Sequence, residues 1–264
     1  MSLPIPDIIA PPHSIIDTHA HLNDSRFDIL RDDLLANLED MGVYKVINCG
    51  CDFKTIDECC ELSRRYDFCY TAAGWHPENI PETEIDFNRL DEIIKSDKKI
   101  IAVGETGLDY HFRSDNKELQ KKAFHAQLEI AESNSLPVII HDRDAHGDTL
   151  EILKEHKPCG VVHCFSGSVE MAKEVLNLGM YIGIGGVLTF KNAQKLKEVA
   201  AYAPLDHILL ETDAPYMSPE PFRGRTNHSG LIIYVAQKLS EIKNIPIAEV
   251  LNTTAQNAEK LFKI

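Results

Sequence analysis

A (β/α)8 TIM barrel in a single domain is predicted by three observations. Eight short apolar runs recur from one end of the sequence to the other, and amphipathic stretches separate them. The 264 residues also match the usual size of that fold, about 250. The runs fall at 14–17, 45–48, 68–73, 100–104, 137–140, 160–162, 181–184 and 208–210. Each is of strand length and rich in β-branched or other strongly apolar residues, as parallel strands covered on both faces require. Between the runs the period changes. Leu119, Ala123, Ala126 and Ile130 recur at helical steps within 117–133. A further helix is predicted over 168–178, with Gly179 as its C-cap, and 231–239 and 248–262 as the closing helices. No Ser/Gly linker or low-complexity tract interrupts the series, so 1–264 reads as one barrel domain. A doubly wound open sheet is the rival arrangement.

Charge narrows the function. The 41 acidic residues outnumber the 27 basic ones, for a net charge of −14, whereas proteins that hold nucleic acid by general electrostatics carry a basic excess. Any phosphate chemistry must therefore rely on bound cations and a few local arginines. No stretch approaches the roughly 20 apolar residues of a membrane span. Residues 1–12 are proline-rich and lack a basic region followed by an apolar core, so the cytoplasm is the expected compartment. Seven cysteines, an odd number partly inside the apolar runs, suit reduced buried thiols better than a disulfide framework. A thiolate zinc site would need paired CxxC motifs, which the sequence lacks. No partner-binding helix is evident.

In a β/α barrel the chemistry sits where strands end and βα loops begin. The first run leads into His19-Ala20-His21, and residues two apart in extended chain point the same way. The third run ends at Gly74-Trp75-His76, and the fourth delivers Glu105, a carboxylate costly to bury unless paired or metal-bound. His141 follows the fifth run and His163 the sixth. The eighth ends in Glu211-Thr212-Asp213, where alternation puts Glu211 and Asp213 on one face. Asp213, nearer the mouth, is assigned to the metal site, with Glu211 as its supporting partner. A lone histidine after a strand is usually a core residue; several on one rim point to a metal. His19, His21, Glu105, His141, His163 and Asp213 form a nitrogen and oxygen donor set large enough for two ions, suited to Zn²⁺, Mn²⁺ or Mg²⁺.

The segments DTHAHL (17–22), AAGWHPE (72–78), VGETGLDY (103–110), VIIHDRDA (138–145), HCFSG (163–167), LETDAPY (210–216), PFRGR (221–225) and NTTAQNAEKLF (252–262) occur in this order. In that set the chain resembles the TatD family of metal-dependent deoxyribonucleases, within the amidohydrolase-like barrels. The resemblance implies that His19, His21, Glu105 and Asp213 hold one divalent metal ion. It gives the second to Glu105, His141 and His163, with Glu105 bridging and Asp213 as general base. It places His76, Arg223 and Arg225 on the substrate phosphate. Two features depart from the family pattern. Asp142 stands where relatives often carry serine, and Arg225-Thr226-Asn227-His228-Ser229 replaces the usual basic-Arg-Asn-Glu-Pro ending of the phosphate loop.

The activity this implies is cleavage of phosphodiester bonds, at single-stranded DNA ends, by a metal-activated hydroxide. Two alternatives stand beside it. One is hydrolysis of a carbonyl ester or amide, such as the ester of a D-aminoacyl-tRNA. The other is a non-catalytic barrel that its metals only stabilise. Neither a G-x-S-x-G elbow nor a phosphate-cradling P-loop string occurs.

Overall fold

The computed structural model describes residues 3–264; Met1 and Ser2, at the head of the proline-rich stretch, lie outside the described residues. Eight parallel strands follow one another around a single sheet. They are β1 (Ile15–Ala20), β2 (Val43–Gly50), β3 (Cys69–Ala73), β4 (Ile100–Asp109), β5 (Val138–Arg143), β6 (Gly160–Val162), β7 (Tyr181–Ile184) and β8 (Ile208–Leu210). The crossovers carry, in turn, α1 (Arg31–Ala36), α2 (Phe53–Arg65), α3 (Phe87–Ser96), α4 (Lys117–Asn134), α5 (His146–His156), α6 (Val169–Asn177) and α7 (Gln194–Tyr202). After β8 come α8 (Ile232–Lys243) and α9 (Ile247–Phe262). A bridge between Ala20 and Ala214 joins the ends of the sheet, and the Asp213 N–H donates to the His19 carbonyl at 2.9 Å. This is the predicted (β/α)8 barrel.

Ile16, Ile47, Ile101, Ile139, Val161 and Leu209 fill the barrel interior, and α9 lays Ala258, Leu261 and Phe262 against the same cluster. Asn257 on α9 donates to the carbonyls of Leu205 and Ile208, which fixes the helix at the start of β8. The end of the barrel where strands begin is thereby closed, which leaves polar chemistry only the opposite face. Among the described residues no helix is long and apolar enough to cross a membrane. All seven cysteines are unpaired.

Three details differ from the sequence reading. First, β1, β2, β4 and β5 run past their apolar stretches. β4 reaches Asp109, with Thr106, Gly107, Leu108 and Asp109 in register with Ile140, His141, Asp142 and Arg143. Ladder hydrogen bonds use the backbone, so a strand does not stop where its side chains turn polar. Second, the buried face of α4 is set by Gln120, Ala123, Phe124, Gln127, Leu128 and Ala131, while Leu119 is exposed. The two glutamines explain the rotation. Gln120 accepts from the Asp109 N–H at 2.8 Å and donates to its carbonyl at 3.0 Å. Gln127 does the same to Trp75, at 2.6 and 3.1 Å. Both amides clamp backbone at the rim of the open face. Third, α6 ends at Asn177, and Gly179 lies just beyond the cap with φ +76°, the left-handed position glycine fills best.

Candidate metal centre

The six side chains proposed as ligands lie in or just after five of the strands, and the closed sheet brings them together on the open face. His21 donates from Nδ1 to the Cys49 carbonyl at 3.0 Å, which leaves Nε2 with its lone pair turned inward. His19 Nε2 lies 3.1 Å from it. Glu105 Oε2 sits 3.3 Å from His19 Nε2 and 3.5 Å from His21 Nε2, and Asp213 Oδ1 lies 3.7 and 3.5 Å from the same two atoms. The other oxygen of Glu105 faces a second group. Oε1 is 2.7 Å from His163 Nε2 and 2.8 Å from His141 Nδ1, and those two nitrogens are 3.4 Å apart. The His19 and His163 rings stack at 3.9 Å and join the halves.

Glu105 is 2% exposed, and its ion-pair partners among the described residues are all imidazoles. Burial opposes its charge, but the neighbouring His163 and His76 and the hydrogen bond from His141 hold its carboxyl well below the usual range. Burial, with the His163 ring beside it, lowers His19 to about 4 and keeps it neutral. Ring nitrogens and carboxylate oxygens converge here without a lysine or arginine among them. A buried donor set of this kind fits a divalent cation, with oxygen and nitrogen ligands open to Zn²⁺, Mn²⁺ or Mg²⁺. One sulfur also stands near: Cys51 groups with His21 and Glu105. The Cys51 thiol, 3.9 Å from His21, faces the ring's Nδ1 side, and burial raises its pKa.

His76 also reaches this cluster, with Nε2 3.2 Å from Glu105 Oε1. Its Nδ1 accepts the Glu78 N–H at 3.2 Å, so the ring proton is on Nε2. A nitrogen that carries a proton donates; it does not ligate. His76 is placed as a hydrogen-bond donor at the edge of the cluster.

Several residues of the site gave no reading of their own in the sequence. His141 donates from Nε2 to Asp109 Oδ2 at 2.9 Å, so Asp109 fixes the tautomer that turns Nδ1 toward Glu105. Asp17 is fully buried, and burial pushes it up to about 6 against the hydrogen bonds from Thr212 and the His19 N–H. It accepts from the Thr212 N–H and hydroxyl at 3.1 and 2.6 Å, while Asn227 donates to the Thr212 carbonyl at 2.9 Å. Thr212 is thus held from both sides, and the chain turns at Asp213 with φ +56°. Asp213 therefore reaches the cluster through that turn rather than by continued strand alternation. Glu211, as expected, supports from behind. It accepts the Cys164 N–H at 2.5 Å, and burial pushes it up to about 7. A Cβ at Gly183 would come within 2.5 Å of Glu211 Oε2 and 2.9 Å of His163 Cα, so only glycine leaves room for that carboxylate.

Arg223 and Arg225 stand apart. Both are exposed, neither lines the cleft, and the Arg223 guanidinium lies 4.3 Å over the Phe190 ring. The cleft over the cluster, about 890 Å³, has Lys54 and Arg143 as its lysine and arginine lining. Its walls also carry Asp24, Asp28, Glu58 and Glu78 beyond the cluster itself. The sequence placed the two arginines by motif alone, and motif order does not fix which way a loop side chain points.

Asp109→Asn is expected to weaken divalent-metal affinity by about 10–100-fold, since it removes the carboxylate that orients His141. Competition against a metallochromic chelator measures this. Unchanged affinity would show that Asp109 only packs.

Residues 16–263 match the family described as "TatD related DNase". A Bacillus subtilis (strain 168) protein described as "Uncharacterized metal-dependent hydrolase YabD" is 40% identical over 254 residues, 95% of this chain and 99% of its own length. The Escherichia coli (strain K12) "Uncharacterized metal-dependent hydrolase YcfH" is 35% identical over 258 residues, 95% of this chain and 96% of its own. Among solved structures, the E. coli K12 TatD homolog YJJV superposes with a TM-score of 0.90 at 32% identity, covering 96% of this chain and 99% of its own. With the site geometry, these likenesses lead to one conclusion: the chain belongs to the TatD-related DNase family and is a metal-dependent hydrolase of that type.

Proposed function

We propose that the protein is a phosphodiesterase acting on DNA ends, with 1–264 as a single hydrolase domain. One observation carries the reading. A single buried carboxylate, Glu105, gives one oxygen to the His19–His21–Asp213 group and the other to the His141–His163 group. In this reading His19, His21 and Asp213 hold one divalent cation, His141 and His163 hold a second, and Glu105 is shared. When bound, such cations lower the pKa of water to roughly 7 and neutralise charge on a phosphoryl group. The chain's own residues do the rest. His76 donates from Nε2 to a nonbridging phosphate oxygen, and Arg143 offers its planar fork from the cleft wall. Asp213 turns Oδ1 to the imidazoles and keeps Oδ2 to take the proton from attacking water. Arg223 and Arg225 are left to meet a longer strand outside the cleft. The acidic walls also support a cation requirement, because a phosphate would otherwise be repelled.

Those same walls favour a second reading. Asp24, Asp28, Glu58 and Glu78 suit the α-ammonium of an aminoacyl ester better than a second phosphate. Protein stripped of metal and reloaded with Zn²⁺, Mn²⁺ or Mg²⁺ separates the two when given end-labelled single-stranded DNA and a D-aminoacyl-tRNA in parallel. Metal-dependent shortening of the DNA, with kcat/KM at least about tenfold above deacylation, is the expected result. Deacylation with intact DNA would favour the aminoacyl ester. Turnover of neither, with a metal-dependent melting temperature, would leave a barrel that metals only stabilise.

A further inference from the structure

Beside the cleft, a second cavity of about 500 Å³ lies against His141 and His163, reached along the ends of β5, β6 and β7. It shares the wall of His141, Arg143, His163, Cys164 and Met217 with the cleft, so whatever fills it adjoins the proposed metal site. Its size falls within the roughly 300–1,000 Å³ of ordinary ligand pockets. Its character is unlike the cleft's. Phe165, Leu196 and Val187 give it an apolar floor, and Arg143, His146 and Lys195 stand at its rim. The nearby acids already have partners. Asp142 accepts from His146 Nδ1 at 2.6 Å and from the Thr149 hydroxyl at 3.0 Å, and Asp144 pairs with His111 at 3.0 Å. The hydrogen bond that His146 donates to Asp142 raises the His146 pKa against partial burial, which favours the imidazolium. With Nδ1 committed, Nε2 is the nitrogen left for a ligand. The helices α5 and α7 both begin at this rim without a side-chain N-cap, which adds N–H groups to the cationic side. Asp142, the departure from the family's usual serine, is therefore the group that orients His146.

We propose that this cavity seats the nucleoside next to the scissile phosphate, with its base on Phe165 and Leu196 and its outer phosphate held by His146 and Lys195. The inference rests on the phosphodiesterase reading and deepens it. An apolar floor accepts any base face, and a cationic rim accepts any phosphate, so the subsite favours nucleotides without selecting sequence.

Three kinds of p-nitrophenyl diester test it: methyl p-nitrophenyl phosphate, thymidine p-nitrophenyl phosphate as its 5′ and 3′ isomers, and the thymidine diesters carrying a further phosphate on the free hydroxyl. For the wild type, kcat/KM is expected to rise about tenfold with the nucleoside and again with the extra phosphate, about 1.4 kcal/mol each. Leu196→Trp, which fills the floor, should abolish the first increment. His146→Gln combined with Lys195→Ala, both on the rim, should abolish the second through KM. His125→Ala, on the outer face where α4 meets α5, should change neither. Equal rates on all three substrates, or variants that lower all three alike, overturn the proposal. Direct binding of thymidine 3′,5′-bisphosphate keeps the two readings distinct if no diester is cleaved. Binding weakened at least tenfold by either cavity variant would retain the subsite and reject the phosphodiesterase. Binding indifferent to both variants would reject the subsite.

Discussion

Glu105→Gln is expected to lower kcat by about 10³–10⁴-fold, or roughly 4–5.5 kcal/mol of transition-state stabilisation, and to leave the fold intact. Glutamine keeps the volume and both hydrogen-bonding positions but loses the charge and one lone-pair oxygen. Each half of the cluster then loses a carboxylate oxygen or meets an NH₂ group that repels a cation. Metal content after dialysis should fall with activity, and elemental analysis measures it. Stability should fall less than activity: the variant loses the attraction between the carboxylate and the imidazoles, but those rings can shed their protons rather than stay charged and unpaired. Far-UV circular dichroism and the urea midpoint separate the two effects. Wild-type turnover and metal content in the variant would mean that Glu105 bridges nothing.

The contrast between what could and could not be read in advance is physical. All eight strands were legible because parallel strands buried on both faces need continuous apolar runs, and such runs stand out. Their ends were less legible. β4 carries Glu105, Thr106 and Asp109 inside its ladder, and each is a buried polar residue that hydropathy places in a loop. The convergence of His19, His21, Glu105, His141, His163 and Asp213 was legible since each follows or ends an apolar run, so the fold alone gathers them. The supporting residues were not. Asp109 acts through His141 and Asp17 through Thr212, across strands 32 and 195 residues apart in sequence. Gln120 and Gln127 look like the polar face of α4, yet they are its most specific contacts, because an amide can satisfy both groups of a backbone peptide at once. Arg223 and Arg225 were placed on the phosphate by the family resemblance. A motif does not say where a loop side chain points, and here neither arginine lines the cleft and Arg223 lies over Phe190.

Asp213→Asn should cost kcat about 10²–10³-fold while retaining more metal than Glu105→Gln. The argument rests on what each atom does. Oδ1 faces His19 and His21, and an asparagine carbonyl can occupy that place. Oδ2 has no equivalent in asparagine, whose NH₂ cannot accept a proton. Asparagine is also the right probe for the backbone. It tolerates φ +56° nearly as well as aspartate, so the turn held by Asp17 and Asn227 through Thr212 should survive. Alanine would add strain and blur the result. Titrating the variant with metal to saturation then separates two roles that the wild-type side chain combines. If Asp213 moves a proton, kcat stays low however much metal is bound. Recovery to within about threefold of wild type at saturating metal would make Asp213 a ligand alone and require another base in the cleft.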